Sequence, residues 1–379
     1  MPELFLAVAL VLQAPPAQDP KTEITEKEAI EFARTLEQGL LEGKPEAFDS
    51  VIDLQAIFEE TVVDLDLTER EKAAFRRGMS KGANLGKQLD SRSGGSFRFL
   101  RQRLIDAHWQ VLFRHFRSEG FNYHEFRLRK TPKGEIRIVD IYTHLNGEWI
   151  TTQGRRSALS IVAEDPARRG KLQQRDVDRA EHALTIFKLQ LVSMSGNPAE
   201  AQALYNSLPE TMKQEKVVQL LMLQAARRLG PTEFVKAEEE YARRLPGDAS
   251  KDMIGMYAHY HRGQYEKTLQ AIDNVDRSVG GDPLLDFLRG NTYLKMGKLP
   301  ESKKAGQSAV QRVPYLLEPR SLLVRISLQE KAYSVTVNLL RAIETDFEMS
   351  FENLEASAEY SDFVKSPEYR DWMKARAPK

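Results

Sequence analysis

Beyond residue 180 the apolar positions follow helical spacing, and a turn signal interrupts them at a fixed step. Gly196, Gly230, Gly263 and Gly297 lie 34, 33 and 34 residues apart, and one further step reaches Lys331 within "EKAYS". Each interval fits two helices joined by a tight turn, with glycine where a helix C-terminus needs positive φ. Pro209, Pro246 and Pro314 punctuate the ends of the second helices, where a missing backbone donor stops the helix. Such hairpins cannot bury their apolar faces alone, so they stack and leave one extended surface for partners.

The pattern before residue 160 is different. Thr25-Glu26-Lys27-Glu28 is a capping box, followed by Ala29, Phe32, Ala33, Leu36 and Leu40 at helical spacing. Gly43-Lys44-Pro45 stops that helix, and a short second helix carries Ala47, Phe48 and Val51. A second capping box, Thr68 to Glu71, opens a helix through Phe75 and Met79, and "SRSGGS" at 91–96 reads as a loop. After it come runs rich in aromatic and β-branched residues: Phe97 and Phe99, "WQVLFRHF", "FNYHEFRLRK", "EIRIVDIYTHL" and "EWITT". Thr131 to Gly134 and Asn146-Gly147 supply hairpin turns. Helices followed by an antiparallel meander predict an α+β domain ahead of an all-α region. Phe97, Phe99, Trp109, Phe113 and Trp149 are expected in its core.

The order of these elements, with the run "YHEFRLRKTPKGEIRIVDIYTHLNGEW", resembles the NTF2-like cone fold, a curved antiparallel sheet with helices. The stretch "PLLDFLRGNTYLKMGKLPESKKAGQSAVQRVP" resembles the tetratricopeptide repeat (TPR) closely: Gly290, Tyr293, Gly297, Ala309 and Pro314 occupy that family's slots. Departures are Asp286, Ser302 and Gly306. Ser302 is small enough to let the helices approach, and Gly306 leaves a gap for a neighbouring side chain to fill. The expected organisation is a leader at 1–17, an NTF2-like domain at 22–160, a linker at 161–176, about five TPR-like units at 177–347, and capping helices at 348–379. In the tail, Tyr360, Phe363, Tyr369 and Trp372 have helical spacing and are expected to cover the open end of the stack, the alternative being a recognition tail for a partner.

Composition narrows the function. Lys+Arg and Asp+Glu both number 55, and this neutrality argues against a dedicated nucleic-acid binder. The absence of cysteine excludes disulfides, thiol catalysis and thiolate metal sites. No phosphate-cradling glycine loop, helical His/Glu metal spacing or serine nucleophile elbow is present, so neither cofactor nor metal is expected. Leu4 to Ala14 form an apolar run followed by small residues and prolines, the pattern of a secretory signal. It lacks a preceding Lys or Arg. No later segment is apolar enough to be transmembrane, so an exported, periplasmic or envelope-associated protein is expected.

The TPR resemblance implies that the first helix of each unit lines a concave face. Stepping back six residues from each turn gives Gln190, Gln224, Tyr257, Asn291 and Arg325. Three residues later come Ser193, Arg227, Tyr260, Leu294 and Leu328, and Lys295 follows one turn after Asn291. Of these, Gln190, Gln224, Arg227, Tyr257, Tyr260, Asn291, Lys295 and Arg325 are the candidate contacts for a protein or peptide. Asn291 resembles the asparagine with which some members hold a peptide. The family's full Lys and Asn set for a terminal carboxylate is not present. The expected function is noncatalytic scaffolding in the bacterial envelope. The alternative is a small-molecule or enzymatic pocket in the N-terminal domain, where Asp140, Tyr142 and His144 alternate along one predicted strand and form an acid–base set if that face lines a cavity. Self-association of the solenoid is a third expectation.

Overall fold

The computed structural model describes residues 23–81, 85–89, 96–117, 120–248, 250–351 and 353–376. The leader reading at 1–17, and all but the last residue of the loop expected at 91–96, lie outside the described residues. Backbone contacts divide the chain into two compact units: one up to Thr143 with Glu148–Ala158, the other His144–Gly147 with Leu159–Lys379.

In the first unit, α1 (Glu26–Leu41) starts at the expected capping box. Thr25 Oγ1 accepts from Glu28 N, and Thr25 N donates to Glu28 Oε2 at 2.8 Å. Ala29, Ala33, Leu36 and Leu40 form the buried stripe, and α2 (Glu46–Asp49) adds Phe48. α3 (Leu54–Val62) follows, with Asp53 accepting from Ala56 N at its N-terminus. α4 (Glu69–Lys81) opens at the second capping box, and α5 (Leu85–Leu89) precedes the sheet.

Five antiparallel strands are paired in sequence order: β1 (Ser96–Ile105), β2 (His108–Arg117), β3 (Gly120–Lys130), β4 (Ile136–Thr143) and β5 (Glu148–Trp149). One face carries Phe97, Phe99, Val111, Phe113, Phe126 and Ile138 against α1 and Phe48. The Phe97 and Phe113 rings stack with centroids 4.6 Å apart. Trp109 packs at the edge of this core and donates from Nε1 to Ile24 O at 2.7 Å. Trp149 departs from the expected core position: it lies under the Arg127 guanidinium, 4.3 Å from its ring centroid, with Tyr142 at its edge. The run "EWITT" is strand only at Glu148–Trp149. Ile150 begins α6 (Ile150–Ala163). The β1–β2 turn uses Asp106 and Ala107, both at positive φ, in place of the Asn-Gly type of signal.

The stretch expected as a linker is largely helical. It holds the end of α6, α7 (Pro166–Arg169) and the start of α8 (Gln174–Glu181). Pro166 is at the first turn of α7, where proline is tolerated, and Asp165 caps it through Ala167 N at 2.8 Å.

Five helical hairpins follow: α9 (Ala183–Ser195) with α10 (Pro198–Ser207), then, after the short α11 (Glu210–Lys213), α12 (Lys216–Leu229) with α13 (Pro231–Arg244), α14 (Lys251–His261) with α15 (Tyr265–Val279), α16 (Pro283–Lys295) with α17 (Leu299–Arg312), and α18 (Leu317–Gln329) with α19 (Tyr333–Phe347). All five turn residues have positive φ, Lys331 included, at 53°. Four turns repeat one hydrogen-bond pattern, in which Asn197 N, Gln264 N, Lys298 N and Ala332 N reach back to Val192 O, His259 O, Tyr293 O and Ser327 O. That pattern satisfies helix-terminal carbonyls and requires a left-handed residue in the turn. Within the fourth hairpin, Ser302 Oγ donates to Gly290 O at 2.8 Å, and both residues are buried. The gap at Gly306 is filled: a Cβ there would stand 2.8 Å from Leu323 Cδ2.

After α19, three 3-10 turns lead to α20 (Pro367–Arg376). Phe363, Tyr369 and Trp372 are buried against Val324, Val337, Leu340 and Ile343. The tail aromatics therefore form a core with the last hairpin.

Candidate functional site on the first-helix face

The face formed by the first helices of the last three hairpins gathers several of the expected contact residues. Tyr257 on α14 is 39% exposed, with its ring edge-on to Phe234 and 4.2 Å from the His261 ring. Tyr260, one turn later, is half-buried, and burial pushes its hydroxyl above the usual tyrosine range while the nearby Arg325 cation opposes the shift. Asn291 on α16 uses both ends of its amide: Nδ2 donates to Phe287 O at 3.3 Å, and Oδ1 accepts from Arg325 Nη2.

Arg325 is the centre of this arrangement. It sits partly buried on α18, held by Asn291, close enough to Tyr260 and Tyr360 to influence both hydroxyls. Among the described residues no carboxylate forms an ion pair with it, whereas Arg289 is bound to Asp273, Asp276 and Asp286, and Arg262 to Glu238 and Glu239. Arg325 therefore keeps donors to offer a ligand, and its planar fork suits a carboxylate or a row of carbonyls.

Arg325 opens into a cleft of about 340 Å³. Leu294 and Lys295 line it from α16, Leu328 and Gln329 from α18, and Tyr333 from α19. The tail supplies the remaining wall with Glu359, Ser361, Asp362 and Phe363. Its lining is apolar at Leu294, Leu328 and Phe363, cationic at Lys295 and Arg325, and anionic at Glu359 and Asp362. Asp362 also faces Lys331 at 3.4 Å.

Lys295 and Arg325 are thus in one cleft, with Asn291 and Tyr260 beside it. Gln190 on α9 and Gln224 and Arg227 on α12 are exposed but do not line it. Ser193 is fully buried, with Oγ donating to Leu189 O, so it presents nothing to a ligand. The tail residues were not legible as lining: their aromatic spacing marks a cap, and nothing in it signals that the segment before Phe363 turns across the first-helix face.

The alternative set of Asp140, Tyr142 and His144 divides between the units: Asp140 and Tyr142 belong to the first and His144 to the second. β4 ends at Thr143, so His144 lies in the following turn and does not continue the alternation of Asp140 and Tyr142. Asp140 is 1% exposed and caps the start of α6. Its carboxylate accepts from Thr151 Oγ1 at 2.7 Å, Thr151 N at 3.3 Å and Ile141 N at 2.9 Å, with Arg127 at 3.8 Å. Burial raises its pKa above the ordinary aspartate value, and these hydrogen bonds oppose the rise. Tyr142 packs edge-on against Trp149. Among the described residues no group of three or more His, Asp or Glu is placed to hold a metal ion, and no helix is long and apolar enough to cross a membrane.

Compared with known proteins, the chain matches no family model and no curated protein.

Proposed function

We propose that the helical unit is a TPR-type solenoid that binds a protein or peptide along its first-helix face, with Arg325 as the polar anchor. The single observation that carries this reading is the partly buried Arg325, held by Asn291 in the wall of a cleft and without a carboxylate ion-pair partner among the described residues. An extended ligand would meet Tyr257 and Tyr260 first, then the Asn291–Arg325 pair, then the apolar and charged lining at Lys295, Leu328 and Phe363. Tyrosine and arginine at the centre of a contact surface contribute more binding energy than most residues.

The N-terminal unit, read as NTF2-like, is a second docking or ligand-binding element. The commitment of Asp140 to capping α6 supports a noncatalytic role for it. The apolar leader pattern supports export, and the chain is read as a bacterial envelope scaffold. The test is crosslinked capture from native envelope extract, with wild type beside a Tyr257→Ala/Asn291→Ala/Arg325→Ala variant. A partner lost by the folded variant supports the reading, and one retained by both overturns the assignment of the first-helix face.

A further inference from the structure

α9 carries a feature that the Arg325 cleft does not use. Leu184, Phe187, Leu191 and Met194 are 65%, 54%, 51% and 54% exposed. Their spacing of 3, 4 and 3 residues places them in one stripe along three turns of the helix. On its other side α9 buries Leu189 and Val192 in the core shared with α10 and α12. A helix apolar on both sides belongs inside a stack, between neighbours. Elsewhere in the helical unit, large exposed apolar side chains occur singly on their helices, as Leu229, Tyr257 and Val335 do. The last hairpin is covered by the tail through Phe363 and Trp372, whereas no described residue covers the outer stripe of α9.

We propose that this stripe is the contact between two copies of the chain, α9 against α9, antiparallel about a two-fold axis near Leu189. The required occupant is three turns long, apolar at a 3.5-residue repeat and nearly uncharged along the seam. α9 itself meets that description, since Lys188 is its one charged residue. Antiparallel pairing sets Leu184 over Met194 and Phe187 over Leu191 of the second copy, so one stripe is complementary to itself, as a two-fold interface demands. Together the two stripes remove on the order of 1,000 Å² from water, at the lower bound for a specific interface. The dimer is therefore weak and concentration-dependent.

Sedimentation equilibrium on the full chain, up to concentrations on the order of 100 µM, reads this directly. Wild type is expected to approach twice the monomer mass. Leu191→Glu, at an exposed position, stays monomeric with unchanged helicity, and Val335→Glu, an exposed apolar control on α19, behaves as wild type. Because the chain has no cysteine, Lys188→Cys supplies a single thiol beside the stripe, and a short bismaleimide is expected to couple two copies through it. Crosslinking of Lys188→Cys decides the matter should Leu191→Glu lose helicity. A wild-type monomer throughout the range overturns the proposal, as does a dimer that Leu191→Glu leaves intact. Neither readout involves Arg325, so failure here is separate from failure of the peptide-binding reading.

Discussion

Arg325 Nη2 donates a 2.5 Å hydrogen bond to Asn291 Oδ1, joining residues 34 positions apart on successive first helices. The repeat period thus sets two equivalent slots side by side, and Arg325 of the pair they hold lines the cleft. Asn291, whose Oδ1 accepts from Arg325, positions that side chain in the cleft wall. Asn291→Ala and Arg325→Ala are therefore expected to be non-additive. A double-mutant cycle on unfolding free energy should show coupling of about 0.5–3 kcal/mol, the range for residues in direct contact. Additive effects would separate the two residues.

Lys331 occupies with φ 53° the slot that glycine fills in the other four turns. Its exposed pairing with Asp362 at 3.4 Å contributes little. Lys331→Gly is expected to change stability by no more than a few tenths of a kcal/mol on the unfavourable side and to gain up to about 1 kcal/mol, because relief of left-handed strain offsets glycine's extra chain entropy. Gly297→Ala, at φ 73°, is expected to lose about 1 kcal/mol or more. Urea denaturation of both variants checks that Gly297→Ala is the more destabilising of the two.

Close approach within the fourth hairpin depends on Gly290. A Cβ there would stand 2.6 Å from Leu322 Cδ2 and 3.3 Å from the Ser302 carbonyl oxygen. Leu322 is fully buried, so its side chain has little room to yield. Gly290→Ala is expected to cost roughly 1–3 kcal/mol, the range for overpacking a core. A thermal melt within error of wild type would refute this packing argument.

Two carboxylates of the first unit give opposite pH signatures. Glu28 is held down to about 2, by Lys130 first and by the Thr25 amide. A depressed carboxylate contributes stability above its unfolded value of 4.5, and the contribution is lost as pH falls toward about 2. Glu28→Gln should flatten that acid limb. Asp140 is raised by burial, so its contribution is present below the unfolded value of 3.8 and is lost as pH rises through the higher folded value. Asp140→Asn should therefore improve relative to wild type as pH rises from 3.8. Guanidinium titrations across the acid range measure both slopes.

The period of 34 was legible because the hairpin turn makes a backbone demand that glycine meets best, and counting it even located Lys331, where no glycine marks the turn. The capping boxes at Thr25 and Thr68 were equally legible, since their hydrogen bonds run between residues three apart. What escaped was nonlocal or read from ambiguous breakers. Pro166 looked like a linker residue and instead starts α7. Thr151 looked like strand, but Asp140, eleven residues earlier, caps the helix that contains it. Asn291, Lys295 and Arg325 were found by counting from the turns. That Asn291 is engaged by Arg325 depends on how successive hairpins stack, and that Glu359 and Phe363 form the far wall depends on how the tail returns across them, neither of which local spacing encodes.

The most direct measurement is crosslinked capture from native envelope extract with wild type and the Tyr257→Ala/Asn291→Ala/Arg325→Ala variant, with folding of both confirmed by circular dichroism. The account predicts a partner captured by wild type and lost by the variant. A partner held equally by both would contradict it and move the binding surface away from Arg325.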